Sequence, residues 1–312
     1  MDAAKMNKRA LKNLKKKNQI ATPKGDKIYY GLVNFFLILF FLIILLPLLN
    51  VVASSFSEAR AVNQGKVLLW PVNFTTRGYK AVFEYRGIWR SYANTFLYTI
   101  TGTALNLAMT MICAYPLARR NLPFKGPVVA LFMFTMLFGG GTIPNYLLVR
   151  NLGMMNTIWA MIVPGAISVY NMIIARTFIQ GIPVDMEEAA KIDGCSDVRY
   201  FFSIVLPLSK TVISVLGLYY AVAHWNDYFT AFLYLSDNEK MPLQIILRTI
   251  LINNTFSEAS ATVDEETLLN NQALQDLLKY ALIIVSSVPV LVIYPFVKKF
   301  FLKGVMLGAV KG

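Results

Sequence analysis

Apolar residues in this chain come in long runs, not in the alternation of a half-buried strand or the single stripe of a surface helix. The run "GLVNFFLILFFLIILLPLLNVV" at 31–52 carries no charged residue. It exceeds the roughly 20 residues a helix needs to cross bilayer hydrocarbon. Further runs lie near 91–118, 127–149, 157–180, 208–235 and 280–300. Several are diluted with Gly, Ser, Thr, Asn and Pro, as is common where membrane helices pack together or line a polar path. The pattern predicts an all-α, polytopic membrane protein with six spans, the first near 28–52. Residues 28–312 are expected to form one transmembrane domain behind a basic tail at 1–27, with loops at 181–207 and 236–279.

Composition agrees. Charged residues make up 15 % of the chain and hydrophobic ones 56 %, whereas soluble domains carry about 25 % charged residues. A basic region ahead of an apolar one can mark a secretory signal, but this stretch is long for that role and five further runs follow. The first helix is therefore expected to stay uncleaved.

Of the 30 Lys and Arg, 20 lie in the tail, at 119–125, around 176–210 and beyond residue 297. An inside N-terminus puts all four groups on the side where basic residues concentrate. The expected orientation is N-in, C-in in a bacterial cell membrane, with 181–207 cytoplasmic. The 236–279 loop, where acids outnumber bases, is then outside. A net charge of +13 serves topology and anionic headgroups of the lipid bilayer. The aromatic-interleaved basic surface of a single-strand binder is missing, so no nucleic acid is expected.

Little in the sequence points to catalysis. Cys113 and Cys195 are the only cysteines, one in a span and one in a loop, and neither a disulfide nor a metal set is expected. His224 is the only histidine. Glu187 and Glu188 are adjacent and do not share a helix face, and no phosphate-binding G-x-x-x-x-G-K-[ST] occurs. The chain is expected to have no catalytic residue, no metal and no cofactor of its own.

The exception to the apolar pattern is "EEAAKIDGCSDVRYFFSIVLPLSK" at 187–210. Asp185, Glu187, Glu188, Asp193 and Asp197 make an acidic island on a basic protein. Asp185 stands three residues before Glu188, as in a capping box. Gly194 sits where a left-handed C-cap belongs, and Ser196 can cap a second helix that runs toward Pro207. Two short helices with a bend at Gly194 are predicted. A helix of two turns is marginal alone, so a docking partner is implied. Ala189 and Ala190 would allow close approach, and Phe201, Phe202 and Ile204 offer an apolar face. Glu188 can close the capping box, dock, or do both.

The spacing Glu188-Ala189-Ala190, three residues, Gly194, nine residues, Ile204-x-Leu206-Pro207 resembles the "EAA" motif of permease subunits of binding-protein-dependent ABC importers, and every fixed position is met. The segments "NTFLYTITGTALNLAMTMICAYPLAR", "IPNYLLVRNLGMMNTIWAMIVP", "HWNDYF" and "GAVKG" are similar to carbohydrate-uptake permeases of the maltose-importer type. "LLWPVNFTTRGYKAVF" and "MLFGGGTIPNYLL" look most like the Gram-positive oligosaccharide branch, the LplC/YtcP-like permeases. The resemblance implies that Glu188, Ala189, Ala190, Asp193, Gly194, Ile204, Leu206 and Pro207 belong to a loop that couples to a cytoplasmic ATPase. It also implies a second homologous permease subunit, cytoplasmic ABC ATPase subunits that hold ATP and Mg, and an extracytoplasmic solute-binding lipoprotein. The 236–279 loop is a candidate contact for the last of these, or else a solvated loop with a short amphipathic helix.

A translocation path or gate is expected near Tyr219, Tyr220, His224, Trp225, Asn226 and Asp227, with Asn94 on the second span. Aromatic rings beside hydrogen-bonding groups suit sugars, yet Trp and Tyr also anchor helices at membrane surfaces. Charge at the depth of Asp227 is costly and usually faces the interior or a partner. Asn94, Thr95, Thr99 and Thr103 recur at helical spacing, either as a polar lining or as interhelical bonds. "FGGGTIP" at 138–144 reads as a flexible or broken segment, either a hinge for gate opening or a packing break. The runner-up is the same architecture for a non-sugar solute. An ion-coupled secondary transporter would want interior charges or inverted repeats, of which little is visible beyond Asp227.

Overall fold

The computed structural model describes residues 23–253, 277–293 and 295, and every structural statement below concerns these. The basic tail before residue 23 and the C-terminal segment after 295 lie outside them. So does most of the expected amphipathic helix in the 236–279 loop.

In chain order the helices are α1 (Lys24–Ser55), α2 (Ala59–Asn63), α3 (Arg77–Glu84), α4 (Arg86–Ala118), α5 (Lys125–Leu137), α6 (Thr142–Asn151), α7 (Ile158–Ile162) and α8 (Val169–Gln180). They continue as α9 (Val184–Ile192), α10 (Asp197–Leu208), α11 (Lys210–Trp225), α12 (Phe229–Tyr234), α13 (Leu243–Asn253) and α14 (Leu277–Ile293). The described residues are helical with no strand, as the runs predict.

The spans are less regular than expected. Two helices are long and apolar enough to cross a membrane, at Gly25–Ser55 and Gly87–Ala118. The run at 127–149 is bent by 109° between α5 and α6, at the glycines of the "FGGGTIP" segment. The run at 157–180 is two helices, because Pro164 and Gly165 interrupt it. The run at 208–235 ends its long helix at Trp225, and α10 meets α11 at 77°. Breaks of this kind survive at membrane depth only where protein groups take up the freed backbone. The 236–279 loop also departs from expectation. Its "MPLQIILRTILIN" stretch holds α13, which starts after Pro242 and packs on α4 with Leu243 wholly buried.

The spine of the bundle is α4, which packs chiefly against α11 and α8. Met111, Ala114, Met172, Ala175, Val212 and Leu216 form the centre of that packing. Lipid is as apolar as this core, so the gain comes from close contact more than from burial. Ala114 and Ala175, both 0 % exposed, permit that contact. Gly102 permits more: a Cβ there would overlap the Nε2 of His224 and lie 2.6 Å from its Cε1. By contrast α1 is free of this packing, and none of its most apolar window is buried among the described residues.

Candidate functional site

The 185–207 loop is a bent helix pair locked to the end of α4. Entry into α9 is set by Pro183, which stands at the N-cap and makes no side-chain capping bond. The capping box expected from Asp185 and Glu188 therefore does not form. The helix begins two residues earlier, and Asp185 and Glu187 lie in its first turn, where acids favour the helix dipole.

The bend at Gly194 has the expected left-handed cap. Gly194 has φ +73°. Its N–H donates to Lys191 O at 3.0 Å, and Cys195 N–H donates to Ala190 O at 2.9 Å. These are the two bonds of a Schellman turn. Ser196 then caps α10 by accepting from Arg199 N at 3.3 Å. Over Phe201–Val205 the helix widens to π geometry, just ahead of Pro207, which has no N–H to give.

The pair has two faces. Ala190, Tyr200, Phe201 and Val205 are buried in the cluster that holds Leu117 and Ile179. Glu188, Ala189, Asp193, Gly194 and Pro207 face out, with Ile204 and Leu206 half-buried. Ile192 at 86 % and Val198 at 68 % exposure sit beside them. The outward face is small and acidic and carries bare apolar side chains.

What holds it in place is Arg119, one residue beyond α4. One guanidinium nitrogen meets Glu187 Oε1 of α9 at 2.6 Å, and another meets Asp197 Oδ2 of α10 at 2.6 Å. Lys191 adds a second bond to Glu187 at 2.7 Å, across one turn of α9. Lys191 first and Arg119 next hold the Glu187 carboxyl below its usual range, against some desolvation. Arg119 does the same for Asp197, whose bond in turn raises the pKa of Arg119. The end of α4 is itself capped by cations: Arg176 Nε donates to Leu117 O at 3.0 Å, and Lys125 Nζ to Arg119 O at 2.7 Å. A cavity of about 520 Å³ lies between this end and α9, lined in part by Arg119, Arg120, Lys125, Glu187, Glu188 and Lys191. Sequence reading missed Arg119, Glu187 and Asp197 as a unit. The i, i+4 spacing of Glu187 and Lys191 was the one available signal.

The expected path residues make separate contacts. Tyr220 is buried, its hydroxyl 2.7 Å from Thr110 Oγ1. His224 Nε2 lies 2.6 Å from Asn106 Oδ1. Trp225 is buried and donates through Nε1 to Ser286 O of α14 at 3.0 Å. Asn94 Nδ2 donates to Glu239 O at 2.8 Å and Met241 O at 3.2 Å, fastening the segment that leads into α13. Asp227 Oδ1 accepts from Thr230 N at 3.0 Å, at the start of α12. Asn226 turns back onto Val222 O, and Tyr219 is exposed. Tyr220, His224, Trp225 and Asn94 thus all spend polar atoms on contacts between elements of this chain. Among the described residues no three His, Cys, Asp or Glu gather as a metal site.

Comparison with known proteins bears on the loop and on the bundle around it. Residues 121–306 match the family model "Binding-protein-dependent transport system inner membrane component". The chain is 42 % identical over 287 residues to the polygalacturonan/rhamnogalacturonan transport system permease protein YtcP of Bacillus subtilis (strain 168), covering 92 % of this chain and 98 % of that protein. It is 42 % identical over 270 residues to protein LplC of the same organism, covering 86 % and 90 %. Among solved structures it resembles a chain of a bacterial ABC transporter involved in the import of the acidic polysaccharide alginate. That likeness has a TM-score of 0.80 and 31 % identity, over 91 % of this chain and 100 % of that one. The 185–207 bend lies within the span from 121 to 306 that matches the family. The chain belongs to the inner-membrane components of binding-protein-dependent transport systems.

Proposed function

We propose that this chain is a transmembrane permease subunit of an ATP-driven importer of sugars or oligosaccharides. The bent α9–α10 pair, held by Arg119 and presenting Glu188, Ala189 and Ile192 outward, is the observation that carries the reading. A cytoplasmic ATPase would cover that face, and its closure would move the pair and rock the helices behind it. ATP and Mg belong to that partner, and this chain does no chemistry. The most apolar window of α1 is uncovered among the described residues, which leaves a face for a second permease subunit or for lipid. A solute-binding protein is supported by the family description itself. Six crossings, N-in and C-in, fit the basic-residue distribution and put the loop in the cytoplasm of a bacterium. The sugar class follows from the relatives named for polygalacturonan, rhamnogalacturonan and alginate.

The test is uptake by cells that lack this chain and are offered oligosaccharide as sole carbon source, with and without the gene restored. Restored uptake that requires the ATPase supports the reading. The purified chain alone should hydrolyse no ATP, and reproducible turnover by it would contradict the assignment. Rescue limited to a peptide or an ion would move the substrate class and leave the architecture.

A further inference from the structure

Helices α4 and α11 run against each other along a ladder of polar side chains. Two rungs are occupied: Asn106 with His224, and Thr110 with Tyr220. In each helix the two residues are four apart, one turn along one face. The ladder also holds the unwound segment before α8. Asn106 Nδ2 donates to Gly165 O at 2.5 Å, and Ser168 N donates to the Tyr220 hydroxyl at 3.4 Å. From Ser168 the chain runs through α8 straight to α9, three residues beyond its end. The inner end of that unit is fixed by Arg119 and Arg176, the membrane-buried end by the ladder.

The same stripe of α4 continues past the occupied rungs. The hydroxyls of Thr103 and Thr99 are buried and have no hydrogen-bond partner among the described residues. A buried polar group without a partner is costly, and two in one register beyond a matched pair call for an explanation. Beside them Gly102 leaves the surface of α4 bare where the His224 ring lies against it.

We propose that α4 and α11 form a polar ratchet in which Thr103 is the rung that receives His224 in the other transport state. Movement of α11 by one turn, about 5 Å, carries His224 from Asn106 to Thr103 and brings Tyr220 toward Asn106. The pairs Asn106–His224 and Thr110–Tyr220 of this state give way to Thr103–His224 and Asn106–Tyr220, which favours two discrete positions over a continuous slide. Thr103 and His224 are positioning residues that pass the displacement of the coupling loop to the outer half of the bundle. The inference rests on the transport reading above.

The test is Thr103→Val in the complete complex, reconstituted in proteoliposomes with its ATPase and binding protein. A purely structural role predicts no loss, because that hydroxyl is unused in this state. The ratchet predicts unchanged assembly and thermal stability, with uptake per ATP down roughly 3- to 30-fold, the factor for one or two interhelical hydrogen bonds. Thr103→Ser should restore uptake. Tyr220→Phe, which removes one oxygen, should lower uptake per ATP as well. Wild-type coupling in Thr103→Val would overturn the ratchet, whatever Tyr220→Phe does. A wild-type complex that hydrolyses ATP yet carries no oligosaccharide would instead overturn the transport reading.

Discussion

Arg119→Ala should leave the ATPase bound and active while oligosaccharide uptake falls by about tenfold. The guanidinium bridges two carboxylates on either side of the Gly194 bend, with Arg119 and Glu187 side chains only 20 % and 25 % exposed. Losing both bonds removes roughly 1–3 kcal/mol, toward the lower figure because the Asp197 side is open to water. Arg119 lies behind the outward face, so docking survives and transmission does not. Arg119→Lys should recover part of the loss, since an ammonium cannot fork to both acids. Paired measurements of uptake and hydrolysis in proteoliposomes check this. Unchanged uptake would remove Arg119 from the coupling path, and joint loss of both activities would make it a folding residue. The staple also has a defined pH window. Both carboxyls titrate below their usual range, so its contribution is fully present above about pH 5 and is lost as pH falls through the depressed values. Coupling through it should be constant across the neutral range.

Gly194→Val should uncouple transport as severely, for a different reason. No atom lies within 4 Å of the position a Cβ would take, so space is not the obstacle. The obstacle is φ +73°, which costs an L-residue about 1–2 kcal/mol and a β-branched one more. Asparagine tolerates that conformation, and Gly194→Asn should keep uptake within about threefold of wild type. Uptake in the two variants decides between conformation and bulk. If asparagine fails as badly as valine, the outward surface at 194 itself must be bare for docking, and the backbone argument is wrong.

The parts of the fold that were legible in the sequence are those written in local chemistry. A charge-free run gives α1, and the glycine between Asp193 and Cys195 gives the bend with both of its cap bonds. Ser196 gives the start of α10. The capping box was misread because Pro183 already fixes the helix entry, two residues before the Asp185 that the motif selected. The breaks inside the runs at 157–180 and 208–235, at Pro164-Gly165 in the first and after Trp225 in the second, were not legible because length and hydropathy do not register them. The placement of polar side chains was the least legible. Asn106 and His224 stand 118 positions apart, and Arg119 reaches Glu187 across 68. No periodicity links such pairs, since only the antiparallel packing of α4 on α11 and on the loop brings them together. The aromatic cluster around His224 did announce itself. Its inward pairing with Asn106, Thr110 and Ser286 shows Tyr220, His224 and Trp225 fastening the helices to one another.

The most direct test of the account uses Cys195, a half-buried thiol inside the bend. With Cys113→Ser leaving one cysteine, inside-out vesicles would be treated with a membrane-impermeant maleimide, with and without the ATPase. The account predicts labelling of the vesicles that the ATPase blocks. Labelling confined to intact cells, or labelling of vesicles that the ATPase leaves untouched, would contradict a cytoplasmic coupling loop docked on its motor.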